Sequence, residues 1–272
     1  MIPVQFAYHR PTSLAEAIEL LAGEEDVKVL AGGHSLLPLM KLRLATPAGL
    51  VDIGRLSELD FIEERDGELA IGAMTRHHDL ATSSLVRTRV PVLAEAAGEV
   101  GDPQVRHRGT IGGSTVHGDP ASDLPAVLLA LGGRLVLAGP SGEREVGAED
   151  FFLGFLETAI EPTEILREIR VPFAQEGHGF EKFTRRAQDW AIVGAAVVRL
   201  GDSVRVALVN MAATPVRAGA TEAALAAGTP AAEAAALADQ GSEPTSDLAA
   251  SSDYRRHLAH VLVRRALERA GW

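Results

Sequence analysis

Ala31-Gly32-Gly33-His34-Ser35 and Thr110-Ile111-Gly112-Gly113-Ser114 are the two stretches on which the reading of this chain turns. Each pairs two glycines and closes on a small hydroxyl residue. A glycine pair lets the backbone pass close to a bulky anion, because no Cβ blocks the approach and positive φ is allowed. Consecutive N–H groups in such a turn form a concavity suited to phosphate oxygens. Two loops of this kind point to one ligand held from two sides, and a diphosphate fits that description. Neither loop is G-x-G-x-x-G, and neither is followed by Gly-Lys-Ser/Thr, so neither the Rossmann nor the Walker pattern is present. The loops are far apart in the chain, and only tertiary folding can bring them to one ligand.

Composition sets the frame. A chain of 272 residues with 46% apolar content is long enough for a sizeable core, in one domain or two. The formal charge of −11 argues against a general nucleic-acid binder, whose affinity rests on Lys and Arg neutralising phosphates. A bound diphosphate must then be met by local backbone dipoles and a few basic side chains. Cysteine is absent, which excludes disulfides, thiolate zinc sites, a cysteine nucleophile and a Cys-ligated iron–sulfur cluster. Met1 to Arg10 shows no charged-then-apolar leader pattern, and no stretch approaches the roughly 18 apolar residues of a membrane span. The expected location is the cytoplasm.

Outward from the first loop, Ser13 reads as a helix N-cap with Glu16 reaching back to it, and Leu14, Ile18 and Leu21 share one helical face. Val27 to Leu30 reads as a short buried strand that delivers the chain into the loop. Leu36 to Leu42 reads as a helical turn, and Leu50 to Ile53 as a second strand. A middle section follows, with strands at Leu69–Gly72, Arg134–Leu137 and Ile169–Val171 and an apolar helix at Ala126–Leu131. A polar, glycine-rich boundary falls at Gln175-Glu176-Gly177-His178-Gly179. Beyond it Val193–Arg199 and Val204–Asn210 form a hairpin turned at Gly201-Asp202. Ala-rich helices and a last helix over Asp253–Ala270 complete the chain.

Asp123 stands before an apolar helix and admits two readings: a helix cap, or a carboxylate that accepts from a hydroxyl-bearing ligand. Lys182 to Trp190 concentrates charge beside an aromatic ring. A solvated strand explains that composition, and so does a wall for a flat cofactor that gains electrons. His77 and His78 are adjacent, so their side chains diverge, and no third ligand stands nearby; no metal site is expected.

Taken together, these segments resemble a known family: the FAD-binding medium subunit of molybdenum hydroxylases, the group that includes aerobic carbon monoxide dehydrogenase and the flavin domain of xanthine dehydrogenase. The resemblance runs nearly end to end. It rests on Leu30–Arg43, Asp102–Gly113, Asp119–Pro125, Phe151-Phe152 with Glu164–Leu166, and Tyr254-Arg255-Arg256. It implies an α+β fold: a vanillyl-alcohol-oxidase (PCMH)-type FAD-binding domain over residues 1–175, split into an α/β subdomain (1–56) and an antiparallel-sheet subdomain (57–175). A small C-terminal antiparallel sheet-and-helix domain follows over 178–272. His34 and His117-Gly118 depart from commoner residues of the family. The absence of cysteine sets the chain apart from the branch that carries an extra cluster in this subunit.

The resemblance also implies roles. Leu30, Ala31, Gly32, Gly33, His34 and Ser35, with Thr110, Ile111, Gly112, Gly113 and Ser114, match the segments that hold the diphosphate. Asp123 matches an acidic residue at the nucleotide end. Val100 and Leu166 match apolar positions lining the cofactor, Lys182 a basic residue near the flavin ring, and Trp190 the position facing that ring. The implied activity is electron transfer. FAD accepts electrons from [2Fe–2S] clusters on a small partner subunit, served by a large molybdopterin-binding subunit, and passes them to an external acceptor. No catalytic side chain is expected on this chain, and the assembly implied is a dimer of heterotrimers. Two rivals are a self-sufficient flavin dehydrogenase or oxidase of the same fold superfamily, and a scaffold subunit that has lost its flavin.

Overall fold

The structure, a computed structural model, describes residues 2–174 and 176–272. Among the described residues, three sheets of three or more strands follow one another along the chain, with a two-stranded hairpin besides. The first holds β1 (Ala7–His9), β2 (Val27–Leu30) and β3 (Gly49–Asp52), all parallel, in the order β1-β3-β2. Parallel strands need their faces covered. The helix Leu14–Gly23 does this on one side, packing Ala17 and Leu21 with Val51 and Ile53. Ser13 caps that helix, its Oγ accepting from Glu16 N at 3.2 Å. The second half of the expected capping box is different. The Glu16 carboxylate accepts from Thr12 N (2.7 Å) and Thr12 Oγ1 (2.8 Å), one residue before the cap, because Thr12 offers two donors where Ser13 would offer one.

The second sheet is antiparallel. It contains β4 (Ile62–Arg65), β5 (Glu68–Gly72), β6 (Arg134–Gly139) and β7 (Gly142–Gly147). After a short hairpin of β8 (Phe152–Gly154) and β9 (Glu157–Thr158) it is completed by β10 (Ile165–Pro172), in the order β4-β5-β10-β6-β7. Ile169 sits opposite Ile71 on one side and Leu135 on the other, and these side chains face a common core. The other face carries charge, with Glu168 accepting from Arg65 (3.0 Å) and Arg170 (2.6 Å), and Arg134 paired with Glu145 (2.7 Å).

The third sheet is β11 (His178–Phe183), β12 (Val193–Leu200), β13 (Ser203–Val209) and β14 (Val216–Arg217), antiparallel in chain order. The Gly201-Asp202 turn joins β12 to β13, with Leu200 opposite Ser203. The apolar runs of β12 and β13 lack polar alternation because both faces are covered. Ala196, Val198, Ala207 and Val209 face the core shared with the second sheet, while Ala195, Val197, Val206 and Leu208 face the last helix, Ser252–Arg269. That helix lies so close that a Cβ on Gly179 would fall 2.8 Å from Ala266 Cα.

Between the second and third sheets runs the helix Asp123–Leu131, every residue of which is buried. The main core therefore draws on both sides of the polar stretch 175–179, of which Gln175 lies outside the described residues.

Candidate functional site

Strand β2 ends at Leu30 and the chain turns at once into Ala31-Gly32-Gly33-His34-Ser35, with Gly33 at φ +79°, in the left-handed region that glycine enters without strain. The helix Leu36–Lys41 starts directly afterwards. The amide N–H groups of Gly32, Gly33, His34, Ser35 and Leu36 have no acceptor among the described residues. Such a run is unusual, since most backbone donors in a folded chain are paired. It leaves a row of donors along the wall of a cavity of about 640 Å³.

The second loop is built differently. Thr110 caps the helix Ile111–His117, its Oγ1 accepting from Gly113 N at 3.1 Å and its carbonyl from Ser114 N at 3.0 Å. Ile111 N donates to Thr75 O (3.0 Å) and Gly112 N to Ala73 O (2.9 Å). This loop spends four of its five amides, those of Ile111 to Ser114, on the protein.

Two of the four glycines, Gly32 and Gly112, also have a packing task. A Cβ on Gly32 would fall 2.9 Å from Gly109 Cα and closer still to the Arg108 carbonyl oxygen. One on Gly112 would meet Ala73 Cβ at 2.5 Å and Ala73 O at 2.6 Å. Both glycines permit backbone to lie against backbone. Gly32 lies against Arg108-Gly109, the lead-in to the second loop, so the distant segments converge on one place. Arg76 strengthens the junction, bridging to Thr110 through the backbone and donating Nη1 to Arg108 O.

Of the residues expected at the ligand, all but two line this cavity. Leu30 lies behind the first loop, its Cδ1 3.4 Å from where a Gly33 Cβ would stand. Ile111 is fully buried in the main core. Val100 and Leu166 supply apolar wall, and Trp190, 56% exposed, stands at the rim.

Asp123 and Lys182 meet inside. Lys182 Nζ lies 2.7 Å from Asp123 Oδ2 and donates also to Glu99 O at 3.0 Å, and both side chains are nearly sealed from solvent (6% and 5% exposed). The cap reading of Asp123 does not hold: Ser122 occupies the cap position and Asp123 is the first residue of the helix. Nor can the two residues serve opposite ends of an extended dinucleotide, since they form one ion pair. Asp123 Oδ1 is buried and has no partner among the described residues. Burial pushes its carboxyl up to about 6, against the pull of the Lys182 ammonium.

His77, for which the sequence marks no role, belongs to the cavity wall. It is 3% exposed, its ring rests against Gly109, and Nδ1 has no partner among the described residues. Burial, with nearby His34, Arg76 and Arg106, lowers its pKa to about 4, so the imidazole is neutral. His78 diverges as expected and stacks on His107 at 4.0 Å between ring centroids. Gln188 and Asp189, from the charged Lys182–Trp190 stretch, also line the cavity, as does Ile160, which nothing in its local spacing marks.

The site fits a dinucleotide carrying a flat ring. It offers free amides for linked phosphates, apolar walls for a ring, and an unsatisfied buried carboxylate oxygen for a ligand donor. A family model described as the FAD binding domain in molybdopterin dehydrogenase matches residues 4–174, and one described as the CO dehydrogenase flavoprotein C-terminal domain matches residues 178–270. The carbon monoxide dehydrogenase medium chain of Hydrogenophaga pseudoflava is 45% identical, over 100% of this chain and 99% of its own. That of Afipia carboxidovorans is 43% identical over 99% and 98%. A solved carbon monoxide dehydrogenase structure from Hydrogenophaga pseudoflava superposes with a TM-score of 0.95 at 47% identity, covering 100% of this chain and 99% of that one.

Proposed function

This chain belongs to the family of FAD-binding subunits of molybdopterin dehydrogenases, and from that premise we propose which of its residues carry the cofactor and how it works in its complex. It is an oxidoreductase subunit whose cofactor is FAD, with molybdenum and iron–sulfur centres held by other subunits. A self-sufficient flavin oxidase is the less favoured reading. When bound, FAD supplies a store for two electrons between the partner's clusters and an external acceptor.

The observation that supports the residue assignment is the row of unpaired amides at Gly32 to Leu36, set where the two loops touch. These donors take the diphosphate oxygens, and the second loop forms the rigid wall against which they close. Val100 and Leu166 hold the flat ring and exclude water from its faces. Asp123 and Lys182 serve one polar edge of the ligand together, with Asp123 Oδ1 accepting from it. Trp190 stands at the open rim beside the ring.

The chain acts as the medium subunit of a carbon monoxide dehydrogenase-like complex, with a large molybdopterin-binding subunit and a small [2Fe–2S] subunit, in a dimer of heterotrimers located in the cytoplasm. No helix among the described residues is long and apolar enough to cross a membrane. The chain divides as 1–175 (subdomains 1–56 and 57–175) and 178–272. The test is direct: the purified full chain titrated with FAD, followed by its visible absorption, takes up one equivalent. A colourless protein that binds no FAD would overturn the assignment.

A further inference from the structure

His77 opens the short helix His77–Thr82, and a backbone bridge between Arg76 and Thr110 sets it beside the start of the second loop. Its backbone N donates to Gly109 O at 3.1 Å. A Cβ on Gly109 would fall 2.7 Å from the His77 ring Cδ2 and 2.9 Å from Nε2, so a glycine there makes room for the imidazole. Gly109 is also the residue against which Gly32 lies. The imidazole and the first of the free amides therefore share one neighbour.

The two ring nitrogens differ. Nδ1 is sealed and has no partner among the described residues. Nε2 has no partner there either, but it is not among the sealed atoms, and the residue lines the cleft. A neutral imidazole carries one ring proton, on one nitrogen or the other. On Nδ1 that proton would be shut away from any acceptor, and Nε2 would turn a lone pair toward an anion in the cleft. On Nε2 it is a donor. Burial, with His34, Arg76 and Arg106 nearby, keeps the ring neutral, so this single donor is what it offers. The two arginines are engaged elsewhere: Arg106 Nη1 donates to Val100 O (3.1 Å) and Gly101 O (2.9 Å), and Arg76 Nη1 to Arg108 O.

We propose that His77 is a further cofactor-binding residue, whose Nε2–H donates to a diphosphate oxygen beside the amides of Gly32 to Leu36. The proposal rests on the FAD reading of the cleft. It adds a side-chain donor to the backbone donors of the first loop. It also accounts for a buried imidazole that no described residue of the chain bonds.

The experiment is FAD titration of the purified full chain and two variants, with melts of the FAD-free proteins at pH 7. His77→Phe keeps a flat ring and removes the donor. It weakens FAD binding about tenfold or more, the loss of one hydrogen bond to a charged group, while the FAD-free protein melts no lower than the wild type. His77→Gln brings an amide N–H to the Nε2 position and restores most of the affinity. Nitrogen-15 spectra of the histidine-labelled chain, with the His77 signals identified by their loss in His77→Gln, show the Nε2–H form and a shift of that nitrogen when FAD binds. Equal FAD affinity in His77→Phe overturns the proposal. So does a His77→Gln chain that recovers its melting temperature but not its affinity, which makes the ring a packing element, and so does an Nδ1–H form in the FAD-bound chain. Failure of the FAD reading shows separately, as a wild-type chain that takes up no FAD.

Discussion

Lys182 Nζ and Asp123 Oδ2 lie 2.7 Å apart in the wall of the proposed cofactor cleft, joining the third sheet to the helix buried between sheets. The pair is asymmetric. Lys182 has a second acceptor in Glu99 O, whereas Asp123 Oδ1 has none. A buried carboxylate with an empty acceptor is held below its full capacity for hydrogen bonds, and that costs stability until a donor arrives. A ligand donor at Oδ1, as proposed, couples binding to local stability at one atom.

Lys182→Met leaves the Asp123 charge buried and alone. Breaking a buried pair from one side costs about 3–5 kcal/mol. The expected outcome is a marked fall in melting temperature together with weaker FAD binding. Asp123→Asn with Lys182→Met removes both charges and recovers most of the stability, yet not the FAD affinity. Denaturant melts and FAD titrations of the two variants separate these effects. Equal stability of the single and double variants would show that the charge is relieved by other means.

Asp123 and His77 give opposite pH dependences. The Asp123 carboxyl is raised to about 6 from an unfolded value near 4, so the folded chain holds the extra proton between those values. Its contribution is fully present below pH about 4 and is lost as pH rises through about 6. His77 is lowered to about 4 from about 6.5, so its contribution is present above pH about 6.5 and is lost as pH falls through about 4. Each shift corresponds to something on the order of 3 kcal/mol. Asp123→Asn therefore steepens the loss of stability on acidification from pH about 6 to about 4, and His77→Phe flattens it. Thermal melts across that range, compared with the wild type, check the sign of each change.

Much of this was legible in the sequence, and the rest was not, for physical reasons. Ser13, the Gly201-Asp202 turn and the apolar period of the last helix are local signals, and local hydrogen bonds and packing decided them. The glycine loops were legible as loops. Their unequal division of labour depends on Thr75 and Ala73 supplying acceptors from elsewhere in the chain, which no loop pattern records. The Asp123–Lys182 pair spans two elements distant in sequence, so each residue read alone suggested a separate role. His77 was invisible for the same reason, since its environment is made by Gly109 and Arg106.

The contact between the loops predicts a division among glycine variants. Gly32→Ala places a methyl group against Gly109 and Arg108, parting the loops without entering the core. FAD content falls to near zero while the melting temperature of the FAD-free protein changes little. Gly112→Ala drives a methyl group into Ala73 beneath the sheet, and overpacking of this kind costs about 1–3 kcal/mol. Its melting temperature falls first. Visible absorbance and melts of both variants test the contrast, and an unchanged FAD ratio in Gly32→Ala would contradict it.

Trp190 separates anchoring from tuning. It stands at the rim, 56% exposed. Its indole has no part in holding linked phosphates, so Trp190→Ala retains FAD close to one equivalent. The ring of the cofactor loses an aromatic neighbour and gains water, which changes its fluorescence yield and its reduction potential. Trp190→Phe keeps a flat apolar face and restores most of both. A spectroelectrochemical titration of the three proteins is the measurement. Identical potentials and identical flavin emission across them would place the indole out of contact with the ring and leave the rim to solvent alone.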